Sequence, residues 1–287
     1  MIDLHSDEEI VRPARPGDAE DICEIYRACV PDTLVGWTAL GSTGGPAWVA
    51  ATICESERWS VSRFFVLQRG ERCLAFAEFR RSVSGPLMLN NIHVCEQAQG
   101  GGRGRRLLIE ALARVVDRGA ARGFAPFWLE LDVFADNRRA GDWYTRLGFV
   151  EQSVRGWWQL GMGLERWTGS AGAVDRSNFF CSGMASGDLH QRQFGFSSFT
   201  VQTAHGSHQI GRMGSDWFRL YDPRALEDPA ILPSLAAIDP DRGIFVIAQS
   251  KPATGFRRVF ESRRMAADLG QARTRLELRL RAGNAKK

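Results

Sequence analysis

Apolar positions in residues 9–167 switch repeatedly between alternation and a three-to-four spacing, which predicts strands interleaved with amphipathic helices. Ile10–Arg12 reads as a short strand, followed by Pro13-Ala14-Arg15-Pro16-Gly17. Asp18 then stands as an N-cap ahead of Ile22, Ile25, Tyr26 and Cys29, whose spacing predicts a helix that stops before Pro31. Thr33–Ala47 is rich in glycine and serine and reads as a loop, and a short helix is expected over Trp48–Glu57. Phe64–Gln68 and Cys73–Arg80 predict a hairpin around Arg69-Gly70-Glu71, and Leu87–Cys95 a further strand. Arg103–Ala121 carries Leu108, Leu112, Val115 and Val116 on one helical face. Phe127–Phe134 predicts a strand, Asn137–Leu147 a helix ended by Gly148, and Phe149–Val154 with Trp157–Arg166 a closing pair of strands. Residues 9–167 are therefore expected to form one α/β domain with a mixed sheet.

From Thr168 the composition shifts to glycine, serine and alanine, so residues 168–176 read as a linker to a smaller α+β domain over 177–287. Strands are expected at Phe196–Thr203, Gln209–Tyr221 and Ile244–Ser250, with a short helix at Pro229–Ala237. Arg257–Leu269 reads as helical, and Arg273–Arg281 alternates like a half-exposed strand. No internal repeat is visible.

Composition narrows the class without naming a chemistry. The 287 residues are 44% apolar and 24% charged, enough for at least one sizeable core. No run approaches the ~18 apolar residues of a membrane span, and the first residues are acidic, so a cytoplasmic protein without a membrane partner is expected. The six cysteines form no C-x-x-C pair, and five lie in apolar segments, which points to buried, reduced thiols. The net charge of +4 divides unevenly: residues 1–168 carry 20 arginines against 22 acids, residues 169–287 carry 17 basic residues against 11 acids.

Candidate chemistry concentrates in Asn90–Leu108, NNIHVCEQAQGGGRGRRLL, where an apolar strand runs into a glycine stretch with a helix behind it. Glycine lets backbone N–H groups close on a ligand, and the helix N-terminus adds orphan donors and partial positive charge. Phosphate binding follows from that arrangement. A Walker loop is excluded, since no lysine precedes Lys251. A dinucleotide fingerprint fits the glycine spacing poorly. A glycine loop without a ligand stays open.

Three pieces, in order, carry a family resemblance. They are Val11-Arg12-Pro13-Ala14-Arg15-Pro16-Gly17-Asp18-Ala19; Val94 followed by Gln99-x-x-Gly102-x-Gly104; and Val133-x-x-x-Asn137-x-x-Ala140-x-x-x-Tyr144-x-x-Leu147-Gly148-Phe149. Together they resemble the GNAT family of acyl-CoA N-acyltransferases over residues 9–167. Glu96 and Ala98 depart from it, standing where the family has proline and commonly an aromatic residue. The resemblance implies that main-chain groups around Ile92 and Val94 pair with the pantetheine arm of acetyl-CoA. It implies that backbone N–H groups of Gln99, Gly100, Gly101, Gly102, Arg103, Gly104 and Arg105 hold the pyrophosphate. It further implies that Asn137 bonds the pantetheine or cysteamine end, and that Tyr144 is the general acid for the leaving thiolate.

The general base is less clear, because the positions that match the family's base are Met88 and Asn90. Glu78, Glu130 and Asp132 are the candidates from neighbouring strands, with Glu78, an acid in an apolar strand, favoured; a water chain to solvent is the other route. His93 has the opposite strand parity to Asn90 and reads as a core histidine.

The implied function is acetyl-CoA-dependent N-acetylation of an amine by direct attack, most simply a small-molecule amine. The acceptor would be lined by residues 31–47, with Trp37, and by Trp157-Trp158. In the second domain, His190, His205, His208, Cys181 and Asp188 complete no tetrahedral set, so no metal is expected. The last 32 residues carry 10 basic and 3 acidic side chains, which read as the solvated face of a helix and strand or, alternatively, as a dock for RNA or an acidic protein. The second domain is accordingly expected to serve recognition or homo-oligomer assembly. The alternatives are an acyl-CoA-binding regulatory module, and an acetyltransferase for a protein or aminoacyl-RNA amine.

Overall fold

A computed structural model describes residues 8–55, 62–81, 85–120, 128–161, 163–164, 179–253, 255–270 and 274. The strands in chain order are β1 (Glu9–Pro13), β2 (Ser62–Arg69), β3 (Arg72–Arg81), β4 (Leu87–Val94), β5 (Trp128–Phe134), β6 (Val150–Leu160), β7 (Phe179–Ser182), β8 (Phe196–Thr203), β9 (Ser207–Met213), β10 (Trp217–Leu220), β11 (Gly243–Ala248) and β12 (Arg257–Asp268). The helices are α1 (Ala19–Cys29), α2 (Asp32–Val35), α3 (Gly45–Glu55), α4 (Arg103–Ala120), α5 (Arg138–Arg146), α6 (Met184–Phe194) and α7 (Ile231–Ile238). No helix among the described residues is long and apolar enough to cross a membrane.

The chain folds into two compact units, and their borders differ from the expected division at 167. The first comprises residues 1–31, 46–153 and 263–287; the second comprises 32–45 and 154–262. The expected linker, 168–176, lies outside the described residues, as does most of the strand expected at Arg273–Arg281.

In the first unit the strand order is β1-β2-β3-β4-β5, followed by the part of β12 from Arg263 on. The first four strands are antiparallel neighbours, and β5 runs parallel to β4 after the α4 crossover. Helix α4 packs on β1 to β4 and buries Leu107, Leu108, Ala111 and Leu112 in a core that also holds Leu129 and Leu131 of β5 and Met265, Ala267 and Leu269. In the second unit the order is β6-β11-β10-β9-β8-β7. Again four antiparallel strands, β7 to β10, lead to a parallel fifth, with Trp217 opposite Gly243 and Leu220 opposite Val246. Each unit thus repeats one topological plan: strand, helical segment, three further antiparallel strands, crossover helix and parallel strand. The repeat has left no trace in the residues.

Several expectations change. Residues 33–47 are not all loop: α2 and the start of α3 occupy part of them. Gln209–Tyr221 is two strands, β9 and β10, that pair with each other. The expected closing pair at 149–166 is instead one strand, β6, in which Gly156 makes room for the Trp158 indole and marks no turn. Arg257–Leu269 is a strand, not a helix. Met265, Ala266 and Ala267 are all buried, the unbroken apolar run of a strand covered on both faces, and such a run has no period to read. A chain cut after Thr168 would therefore lose a core strand of its first unit.

Candidate active site

A bulge in β4 sets the geometry. Glu78 of β3 stands opposite Asn91 and Phe79 opposite Leu89, so Asn90 is the extra residue. Parallel pairing of β4 with β5 ends at Leu89 and Leu131, and β4 runs on to Val94 with no strand partner on that side among the described residues. Ile92 and Val94 lie on this free stretch, where an extended ligand can add as another strand would.

Glu78 is the centre of a small buried network. Its carboxylate is 1% exposed; Oε1 accepts from Ser62 Oγ at 2.7 Å, and Oε2 accepts from Asn90 Nδ2 and Asn91 Nδ2, each at 2.7 Å. Both oxygens are taken up by these donors, so Glu78, the expected base, stands here as the acceptor that ties the bulge to β2 and β3. Asn90 stood out in the sequence only as a match to the base position, and Ser62 and Asn91 not at all; nothing in their local pattern signals a carboxylate 16 residues or 12 to 13 residues away.

At the far end of β4 a short 3-10 turn, Glu96–Ala98, leads into the glycines. Gly100 and Gly102 have φ of +90° and +76°, a region that disfavours side chains. A Cβ at Gly104 would come within 3.3 Å of Val94 Cγ2, so loop and strand are as close as glycine permits. The first intrahelical bond of this region runs from Arg106 N to Gly102 O at 3.0 Å, which leaves the amides of Arg103, Gly104 and Arg105 as the orphan donors of the helix start. Gln99 Nε2 donates to Val94 O at 3.2 Å, tying the loop to the strand. The Arg103 guanidinium is engaged elsewhere, with Glu9 Oε1 at 2.7 Å and Ala98 O at 3.1 Å; its hydrogen bond, and then its charge, lower the Glu9 pKa. Arg103 therefore braces the loop, and only its backbone N–H is available to a phosphate. Arg105 Nε is buried without a hydrogen-bond partner.

Helix α5 follows β5. Asn137 is its N-cap, with Oδ1 accepting from Ala140 N at 3.1 Å, which leaves Nδ2 as the group able to reach a ligand. The helix closes at Gly148, φ +94°, with Phe149 N donating to Tyr144 O at 3.1 Å. Tyr144 is 6% exposed, and its ring is packed by Trp143 and Phe149. Burial raises its pKa, so the hydroxyl keeps its proton at neutral pH.

The remaining candidates separate cleanly. Glu130 and Asp132 are bound by Arg264, at 2.8 Å and at 2.6 Å and 2.7 Å, so neither is a free base. His93 is half-buried and packs against Tyr26 and Phe76, and this desolvation lowers its pKa to about 4. Trp37 is 2% exposed and stacks on Phe245 at 4.8 Å within the second unit's core, so it is no acceptor wall. Trp157 stacks on the same indole at 6.3 Å, and Trp158 Nε1 donates to Ala248 O. His208 Nε2 pairs with Asp228 at 2.8 Å, and no group of metal-ligating side chains occurs among the described residues. All six cysteines are free, but only Cys23 is buried; Cys29 and Cys54 are exposed.

A strand pair that parts at a bulge, a glycine turn and a bare helix start follow one another along the chain and leave backbone donors open to an anion. Residues 60–151 match the Acetyltransferase (GNAT) domain. The match spans about a third of the chain and contains the bulge, the glycine turn, Asn137 and Tyr144. Solved GNAT structures share the fold across nearly the whole length. A GCN5-related N-acetyltransferase from Sphaerobacter thermophilus superposes with TM-score 0.57 at 12% identity, over 92% of this chain and 96% of that one. A tandem GNAT protein from the clavulanic acid biosynthesis pathway gives TM-score 0.59 at 13% identity, over 92% and 99%. The second unit, unassigned by its residues, therefore shares its fold with part of these structures. No curated protein matches the chain in sequence.

Proposed function

We propose that the chain is an acetyl-CoA-dependent N-acetyltransferase whose reaction centre lies in its first unit. The parting of β4 from β5 beyond Leu89 and Leu131, ending at the glycine turn, is the observation that carries this reading. The pantetheine arm adds to β4 around Ile92 and Val94. Backbone N–H groups between Gln99 and Arg105 hold the pyrophosphate, and Asn137 Nδ2 bonds the pantetheine end. The acceptor's free amine attacks the thioester carbon, and its proton leaves to water, since Glu78, Glu130 and Asp132 are all committed to other partners. As the C–S bond breaks, Tyr144 gives its proton to the thiolate sulfur and regains one from solvent. Glu78 holds Asn90 and Asn91 in place and thereby keeps the cleft open.

The acceptor is proposed to be a small-molecule amine, and the chain to act in the cytoplasm. Support for the acyl donor is structural; support for the acceptor is only that the reaction needs an uncharged nitrogen. Incubation with acetyl-CoA and a mixed amine library, with free thiol followed and products weighed, tests the reading. Amine-dependent thiol release is expected. Binding of acetyl-CoA without transfer to any amine would favour an acyl-CoA-sensing module instead.

A further inference from the structure

The end of β1 and the start of β2 border a cavity of about 380 Å³ that shares no lining residue with the acyl-CoA cleft. Glu9, at the other end of β1, is the residue that meets Arg103 and Arg106, so the cavity and the glycine turn lie at opposite ends of this strand. Its floor is apolar: Ile53, Phe64 and Phe65 are all buried. Its charged lining is of one sign. Arg15, Arg63 and Arg114 contribute, and among the described residues no aspartate or glutamate does.

Two acids that follow on from the lining elements are engaged by other arginines. Asp18 holds Arg12 at 2.7 Å and 2.8 Å, and Glu110 is bonded by Arg106 at 2.8 Å while reaching Arg114 only at 3.6 Å. Arg15 and Arg114 are exposed, and the only bonds Arg114 makes to Glu110 are long, at 3.5 Å to its carbonyl and 3.6 Å to its carboxylate. An apolar floor stabilises a hydrocarbon body by burial, and guanidinium groups at the mouth recognise a carboxylate through charge-assisted bonds. Inorganic phosphate would leave the floor unused, and a neutral alcohol would leave the arginines unused. A cavity of this size fits the range of small-molecule sites.

We propose that this cavity is a second ligand site, specific for a small carboxylate with an apolar body such as a medium-chain fatty acid. Occupancy joins β1, α3 and α4 without involving the cleft, so the site stands whether or not the chain transfers acetyl groups.

Octanoate, 1-octanol and inorganic phosphate, titrated separately into the full chain by calorimetry, test this. Octanoate is expected to bind, with 1-octanol and phosphate each at least about tenfold weaker, the worth of losing a charged hydrogen bond or the apolar body. Cys54, an exposed thiol on the lining, gives a second readout: octanoate should slow its alkylation by iodoacetamide, and leave exposed Cys29 unaffected. The double variant Arg15→Gln/Arg114→Gln, both on the surface, should weaken octanoate at least about tenfold with unchanged thermal stability. Ile53→Trp, which fills the floor, should abolish binding. Failure of octanoate to bind, equal binding of 1-octanol, or unchanged affinity in the arginine variant would each overturn the assignment.

Discussion

Glu78 sits in a strand between Ala77 and Phe79, where an unpaired carboxylate would be costly, and it is tolerated because three donors surround it. Glu78→Gln places an amide nitrogen against one of those donors and loosens the bulge. Acetyl-CoA affinity should fall at least about tenfold, the scale of one lost charged hydrogen bond. The rise of kcat/KM with pH should persist, because the acceptor amine sets it; loss of that rise in Glu78→Gln would reinstate Glu78 as the base. Tyr144→Phe should lower kcat by roughly 10²–10⁴-fold, the usual worth of a positioned proton donor. Acetyl-CoA affinity in that variant, measured by calorimetry, should hold. His93 bears on stability instead. Its folded-state pKa is lowered from 6.5 to about 4, so the unfolded chain takes up the proton first as pH falls. The stability that rests on neutral His93 is complete above about pH 6.5 and is lost progressively down to about pH 4, amounting to at most about 3 kcal/mol. Urea midpoints measured across this window should flatten in His93→Phe; an unchanged slope would place the acid sensitivity elsewhere.

Elements with a clean period were legible from the residues: α1 and α4 by their three-to-four spacing, β2 and β3 by the hairpin around Gly70. Strand β4, the glycine turn and α5 were legible too, because each needs particular residue types: glycine at positive φ, Asn137 at a cap, Gly148 at a helix end. The bulge was not, since it depends on which residue of β3 faces which of β4. Strand β12 was misread for a related reason. Its Met265-Ala266-Ala267 run carries no alternation, and the ladder that makes it a strand comes from elsewhere in the chain. Its place in the first unit's core gives a prediction. A chain ending after Thr168 lacks Met265, Ala267 and Leu269, each buried there, and should lose cooperative urea unfolding. A truncated chain that unfolds cooperatively at the wild-type midpoint would contradict the assignment of β12.

On the scale of the whole chain, the two units share one order of strands yet only one has the glycine turn. After β4 comes Gln99-Gly100-Gly101-Gly102-Arg103-Gly104; after β10 comes Tyr221-Asp222-Pro223-Arg224, where Asp222 accepts from Arg224 N at 2.9 Å. A repeat whose residues have diverged this far is recognisable only from its topology, which is why the second unit could not be read in advance. The acyl-CoA cleft is accordingly placed in the first unit alone. Titration of acetyl-CoA into the full chain and into Gly104→Asp, followed by calorimetry, tests that placement most directly. The side chain added at Gly104 must displace Val94, 3.3 Å from its Cβ, and sets a negative charge among the orphan amides. The wild-type chain should bind acetyl-CoA and the folded variant should not. Equal affinity in the two proteins would contradict the placement of acetyl-CoA at the glycine turn.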